Sequence, residues 1–360
     1  MWKVTKKMND NNINISVIIP AYNCEKTIPK TLKSILHQQQ APMEIIIIND
    51  GSTDNTGEMC KKYSAKYKNI KVIDLKKNKG VSNARNVGIK FAKGNYIHFV
   101  DADDTVEENI YSIVLKELKK NRVECIEFGS NFVIENEKKI IEKRHIEKDL
   151  LCTNKNNIAD FLKTLTYKDK ERVLNVIWNK IYSKKTIDDN NIKFDMNINL
   201  GEDFLFNCDF FSQMTSYSEI HDCLYNYFKN QVNNLTSKFR EDVLVRRKKI
   251  YFAWINLYKE YSIYSFKGKS YFEKYEGKML YYSLYSIFSP NCKLNNKEKK
   301  EFLGKIINDQ HSYYIIKYLK FGIEKELLKL KKINMLFNYM KIKTKIKILI
   351  KEKLNRRGYD

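Results

Sequence analysis

The sequence predicts an α/β protein built on a doubly wound, mostly parallel sheet, followed by a helical C-terminal region. Three observations carry that expectation. Apolar runs of strand length alternate with amphipathic stretches of helical spacing over the first part of the chain. The connections between them are short, as in βαβ units. Acidic and turn residues close several of the apolar runs.

Ile15 to Ile19 is the first apolar run and ends at Pro20. Glu25 to Gln38 has helical spacing through Ile28, Leu32, Ile35 and Leu36. Glu44 to Ile48 is a continuous β-branched run, the pattern of a strand buried on both faces. It stops at Asn49-Asp50-Gly51-Ser52, a turn signal. Ser52 and Thr53 are expected to cap a helix reaching about Lys66. Ile70 to Leu75 is a third strand and Val81 to Ala92 a third helix. Tyr96 to Val100 is a fourth strand, closed by Asp101-Ala102-Asp103-Asp104. From Val123 to Ile146 two β-rich stretches suggest a hairpin. Asn156 to Tyr167 reads as a helix, and Trp178 to Tyr182 as a short strand or turn. Gly201-Glu202-Asp203 opens a helix over Phe204 to Phe211, with acids at its positive end. Leu224 to Phe228 is a short strand, and the pattern beyond Arg240 is helical. A boundary is expected near Lys238. It separates a domain over 1–238, with parts at about 14–105 and 106–238, from a basic region over 239–360.

Composition bounds the function. The 360 residues are 43% hydrophobic and 30% charged, enough to build a core and too apolar for a disordered chain. The seven cysteines are odd in number, widely spaced and without a C-x-x-C pair. That argues against a zinc or disulfide framework and for a reducing, cytoplasmic setting. Residues 1–14 are polar, so no secretory signal is expected. The formal charge is +23, and most of the excess lies beyond residue 240. An acidic partner is implied, either an anionic membrane or nucleic acid; a Lys-rich coding bias is the alternative. No recognised nucleic-acid-binding motif is present.

In an open α/β sheet, ligands bind beyond the carboxyl ends of the strands. Asp50, Asp101, Asp103 and Asp104 all follow strand ends and belong on one rim. Carboxylates this close do not all ionise cheaply without a cation, and their oxygens suit Mg²⁺ or Mn²⁺. An isolated D-x-D-D is more often a solvated turn, but its company here is specific. Val17-Ile18-Ile19-Pro20-Ala21-Tyr22-Asn23, Asn49-Asp50-Gly51-Ser52-Thr53-Asp54, Gly80-Val81-Ser82-Asn83-Ala84-Arg85-Asn86 and Phe99-Val100-Asp101-Ala102-Asp103-Asp104 occur in order. Together they resemble the nucleotide-sugar domain of family 2 glycosyltransferases, which have the GT-A fold. The resemblance is close over residues 15–105 and looser to about 240.

The resemblance implies roles. Asp50 would contact the nucleobase, and Pro20, Ala21 and Tyr22 would line the same pocket. Arg85 would help hold the nucleotide. Asp103, with Asp101 near the ribose or metal shell, would hold Mn²⁺ or Mg²⁺ at the donor diphosphate. Asp203 would be the catalytic base that takes the acceptor proton, with Glu202 as substitute; helix N-terminal acids are the bland alternative. Trp178-Asn179-Lys180-Ile181-Tyr182 resembles a family segment before the base. There Lys180 would pair with a phosphate or the acceptor and Trp178 would stack on a sugar, unless Trp178 is core and Lys180 solvated. Asn230 to Lys238 resembles the loop that closes over the donor. The family's Pro after the acid cluster is replaced by Glu107-Glu108-Asn109. His98 reads as a satisfied core histidine.

The implied activity is metal-dependent, inverting transfer of a sugar from a nucleotide diphosphate, expected to be UDP, to a glycan, glycolipid or glycoprotein hydroxyl. Cell-surface polysaccharide assembly is the expected setting. A nucleotidyltransferase and a basic nucleic-acid- or membrane-binding protein are the rivals. Lys341 to Arg357 places Ile342, Ile346, Leu349, Ile350 and Leu354 at helical spacing among lysines. This stripe suits an interfacial helix on anionic lipid at the inner membrane face, a helix docked on its own domain, or a homo-oligomer contact.

Overall fold

The computed structural model describes residues 13–134, 139–144, 146, 149–164, 172–198, 200–228, 239, 241–264, 266–319 and 322–356. The loop expected at Asn230 to Lys238, with the boundary near Lys238, lies outside them. The elements of the first part are β1 (Ile15–Ala21), α1 (Ile28–Leu36), β2 (Glu44–Asn49), α2 (Thr56–Lys66), β3 (Ile70–Asp74), α3 (Val81–Phe91), β4 (Tyr96–Phe99) and β5 (Thr105–Val106). Then come α4 (Ile110–Asn121), β6 (Cys125–Ile134), β7 (Lys139–Arg144), β8 (Leu150–Cys152), α5 (Lys155–Thr164), α6 (Arg172–Asn175), β9 (Lys180–Ser183), α7 (Lys184–Asp189), α8 (Glu202–Gln213) and β10 (Tyr217–Phe228). The rest is helical: α9 (Val243–Glu260), α10 (Phe266–Ser286), α11 (Asn296–Asn308), α12 (Gln310–Ile316), α13 (Ile323–Lys329) and α14 (Ile333–Arg356). The chain divides into two compact units at Gln231/Val232, with Asn256–Ser262 grouped with the first.

The sheet order is β3-β2-β1-β4-β9-β6-β10-β5, with β7 on β6 and β8 on β10. β1, β2, β3 and β4 are parallel, and β9 joins β4 antiparallel. The β-branched run of β2 is buried along its whole length, as a strand covered on both faces must be. On one face Val17, Ile19, Ile45 and Ile47 share a core with Ile28, Leu32 and Ile35 of α1 and with Ile110, Val114 and Leu118 of α4. On the other, α3 comes so close to β1 that a Cβ on Gly88 would meet Ile18 Cγ2 at 2.3 Å. Phe99 makes edge contacts there with Tyr182, Phe194 and Phe206.

The α2 start differs from expectation. The helix begins at Thr56, and neither Ser52 nor Thr53 caps it. Their groups serve the turn instead. The Asn23 N–H donates to Ser52 Oγ, and the Thr53 N–H donates to Asn23 Oδ1. Short polar side chains have this choice between cap and turn. The helix α4 is not expected from the sequence, and its N-cap residue Asn109 makes no side-chain cap bond. The strand β10 is longer than expected, and its pairing with β6 contains register shifts that interrupt a clean alternation. No helix among the described residues is long and apolar enough to cross a membrane.

Candidate active site

The rim at the carboxyl ends of β1, β2 and β4 is built first by backbone constraint. Gly51 has φ +69, and a Cβ there would lie 2.6 Å from the Lys77 and Asn78 backbone. Only glycine permits both. This close approach brings the segment before α3 onto the β2 turn. Asp50, buried, accepts from the Lys79 N–H at 3.0 Å and the Gly80 N–H at 2.8 Å. Gly80 itself has φ 90. Asp50 therefore orders the loop that opens α3. Beside it, at the end of β1, Ala21 is buried and Tyr22 exposed.

The centre of the site is Arg85, buried on α3. Its Nη2 donates to Asp101 Oδ1 at 3.1 Å, and its Nη1 to Asp203 Oδ1 at 2.7 Å. The same Nη1 lies 3.4 Å from Glu202 Oε1. One guanidinium thus joins the end of β4 to the first turn of α8, and three carboxylates share one cation. Burial pushes the Asp203 carboxyl up to about 7; Arg85 opposes this, while Glu202 and Asp101 add to it. The three carboxylates retain part of their exposure, whereas Arg85 has almost none. Arg85 Nε is buried without a hydrogen-bond partner, and the guanidinium lies 5.3 Å from the Phe194 ring. The terminal nitrogens of Arg85, expected at the nucleotide, face the site's own carboxylates.

The acid turn after β4 divides by exposure. Asp101 and Asp103 are partly exposed, and Asp104 is buried. Asp104 accepts from the Tyr225 hydroxyl at 2.8 Å and the Phe228 N–H at 2.8 Å. The Tyr225 oxygen in turn accepts from the Asp101 N–H at 3.2 Å. Burial, then Asp101 and Asp103, push the Asp104 carboxyl up, and its two donors pull it back. Asp104 is thus a latch that ties β10 to the acid turn. Asp101 and Asp103 are the partly exposed carboxylates of this turn, and their oxygens suit a hard divalent ion. Among the described residues no three His, Cys, Asp or Glu side chains gather into a metal site. An ion held by one or two carboxylates and by donor phosphates needs no such cage.

Lys180 is a correction. It is neither solvated nor on the rim but fully buried, with Nζ 3.0 Å from Val176 O, 2.8 Å from Asn179 Oδ1 and 3.3 Å from Glu127 Oε2. Its ammonium is enclosed by these acceptors and has no exposed face. Trp178 is also interior, stacked on Tyr225 at 4.5 Å and Tyr227 at 5.7 Å, so it presents no face to a sugar. His98 is the satisfied core histidine expected. Its ring nitrogens meet the Tyr111 hydroxyl and Trp178 O, and burial pushes it down to about 4. Cys24 is pushed up to about 11 by burial, unsuited to nucleophilic work.

Two positioning residues are not singled out by the sequence, although Asn86 closes one of the motifs. Asn86 donates to Phe194 O and accepts from the Phe194 N–H, both at 2.8 Å, which fixes the segment beneath Arg85. Asn207, one turn beyond Asp203, accepts from the Tyr182 hydroxyl at 2.7 Å and donates to Leu174 O and Val176 O. It sets the register of α8 and hence the place of Asp203.

Residues 16–189 match the family model of glycosyl transferase family 2. The chain is 29% identical over 250 residues to the glycosyltransferase EpsJ of Bacillus subtilis, covering 69% of this chain and 71% of that one. It is 32% identical over 227 residues to the minor teichoic acid biosynthesis protein GgaB of Bacillus subtilis, but spans only 24% of that protein's length. The crystal structure of S. aureus TarS 1–349 in complex with UDP-GlcNAc has the same fold. It superposes with a TM-score of 0.61 at 19% identity, over 92% of each chain. Through residues 16–189 the chain belongs to glycosyl transferase family 2, and it is a glycosyltransferase of the GT-A fold.

Proposed function

We propose that this glycosyltransferase moves a sugar from a UDP-linked donor to a hydroxyl of a cell-surface glycan or glycolipid, with inversion and with Asp203 as base. The observation that carries this reading is the junction at Arg85, which holds Asp203 and Asp101 in one centre. The complex of TarS with UDP-GlcNAc supports the donor class, and the teichoic acid role named for GgaB supports the acceptor class.

In this reading the nucleotide lies against the rim of Pro20, Ala21 and Tyr22 and the loop ordered by Asp50. Asp203 accepts the proton of the acceptor hydroxyl as that oxygen attacks the anomeric carbon. Its raised carboxyl makes it a stronger base than an exposed aspartate, matched to neutral pH. Arg85 fixes the carboxylate by a charge-assisted hydrogen bond and keeps Glu202 beside it. Asp101 and Asp103 would hold Mn²⁺ or Mg²⁺. A divalent ion there supplies positive charge opposite the departing diphosphate.

The test is release of nucleoside diphosphate from UDP-, GDP-, CDP- and dTDP-sugars, with teichoic-acid-type acceptors, in Mn²⁺, in Mg²⁺ and in EDTA. The reading expects UDP release that EDTA abolishes and that Asp103→Ala reduces at least about a hundredfold. Turnover of another nucleotide sugar, or turnover unchanged in EDTA, would overturn the corresponding part.

A further inference from the structure

The helix α14 carries two apolar faces, and among the described residues only one of them is buried by the protein's own packing. Leu336, Phe337 and Met340 are buried. Met335, Ile342, Ile346, Leu349 and Ile350 are between 50% and 60% exposed. At 100° per residue the exposed stripe of 342, 346, 349 and 350 is centred roughly 140° around the helix from the buried triad. Met335 falls on the same side as the stripe, two turns earlier. The stripe is therefore not the surface by which α14 docks on its own unit. Residues 345–350 are all exposed, Ile348 included, although Ile348 stands off the stripe.

The charges are arranged about the stripe. Between Lys341 and Ile350 there are four lysines and no acid. On the same wheel Lys341 and Lys345 flank one edge, and Lys343 and Lys347 the other. Lys343 is paired with Glu324, while Lys345 and Lys347 are exposed. A helix with an apolar face of three turns bordered on both sides by lysine stems has the geometry of one lying in a bilayer surface. The apolar side chains enter the acyl boundary and the ammonium groups reach back to the head groups. It does not span, because lysines interrupt the apolar sequence.

We propose that the exposed face of α14 seats the protein on an anionic lipid bilayer, as a peripheral contact made by Ile342, Ile346, Leu349 and Ile350 with Lys345 and Lys347. Charge complementarity selects this occupant over a second copy of the chain. Pairing two such stripes would bring lysine edge against lysine edge, with no acid between residues 341 and 350 to offset them.

Co-sedimentation of the full chain with vesicles tests this. Vesicles of mixed phosphatidylglycerol and phosphatidylcholine are compared with pure phosphatidylcholine, at low and at high salt. The full chain is expected to pellet with the anionic vesicles at low salt and to release at high salt or from pure phosphatidylcholine. Ile346→Gln with Leu349→Gln should weaken binding at least about tenfold. Lys345→Gln with Lys347→Gln should weaken it about fivefold per lysine. Because these side chains are exposed, both double variants should keep the melting temperature and circular dichroism of the parent. Three results would overturn the proposal. One is absence of binding to anionic vesicles. Another is binding that both variants retain. The third is self-association of the free protein, seen by sedimentation velocity, that the apolar variant abolishes.

Discussion

Two charged clusters lie in the first unit, and they are opposites. Around Lys180 one cation meets one carboxylate, and the remaining polar groups are matched. Glu127 also accepts from Asn179 at 3.1 Å and from the Tyr217 hydroxyl at 2.8 Å, and the whole group is buried. Around Arg85 one cation meets three carboxylates, which keep partial access to the rim. The first cluster is complete without a ligand. The second has an excess of negative charge and a carboxyl displaced to about 7. Charge matched and sealed is structure; charge left unbalanced at a strand-end rim marks Arg85 and its carboxylates as the candidate site.

The contrast yields tests of graded size. Replacing the proposed base, Asp203→Asn, should lower the transfer rate about a thousandfold, with the melting temperature almost unchanged. Steady-state kinetics beside a thermal melt checks both halves, and equal losses of stability and rate would erase the distinction. Glu127→Gln should do the reverse. It strands a buried ammonium and should cost about 3–5 kcal/mol of stability by urea unfolding, while the protein that remains folded keeps its turnover. Arg85→Lys retains the charge but not the fork, so one partner of the pair Asp101 and Asp203 is lost. About a tenfold fall in turnover is expected, with donor affinity held within a few-fold. The smallest effect should come from Tyr225→Phe, which removes the hydroxyl's bond to Asp104 and the bond it accepts from the Asp101 N–H. About 1 kcal/mol of stability is expected from urea unfolding.

Much of this was legible in sequence, for physical reasons. The runs Ile15 to Ile19 and Glu44 to Ile48 announce strands because two-sided burial demands uninterrupted apolar residues. The place of Asp101 and Asp103 on the rim is legible because strand ends face it, and the start of α8 because acids mark a helix start, whereas the role expected of Asp203 comes from the family resemblance. The side-chain partners were not legible. Nothing around Lys180 signals burial, since its acceptors come from Glu127 on another strand and from the Val176 carbonyl. Arg85 reads as a cation facing a ligand until α8 is seen to bring Glu202 and Asp203 from more than a hundred residues away. The clasp of Asn86 on Phe194 is likewise a product of tertiary contact, invisible to periodicity.

In the proposed reaction Asp203, raised by burial and steadied by Arg85, works as the base. Its displacement fixes the sign of the pH dependence. Because the carboxyl is raised from 3.8 to about 7, the proton is held through that window, and the reactive ionised form accumulates only above it. By linkage the same shift costs folding stability as pH rises through the window. The most direct measurement is kcat/KM for the donor against pH, which reports groups of the free enzyme. A limb is expected that climbs about tenfold per pH unit and levels near 7, and that is absent from the residual activity of Asp203→Asn. A profile that is flat from pH 5 to 8, or a limb that survives in Asp203→Asn, would contradict it.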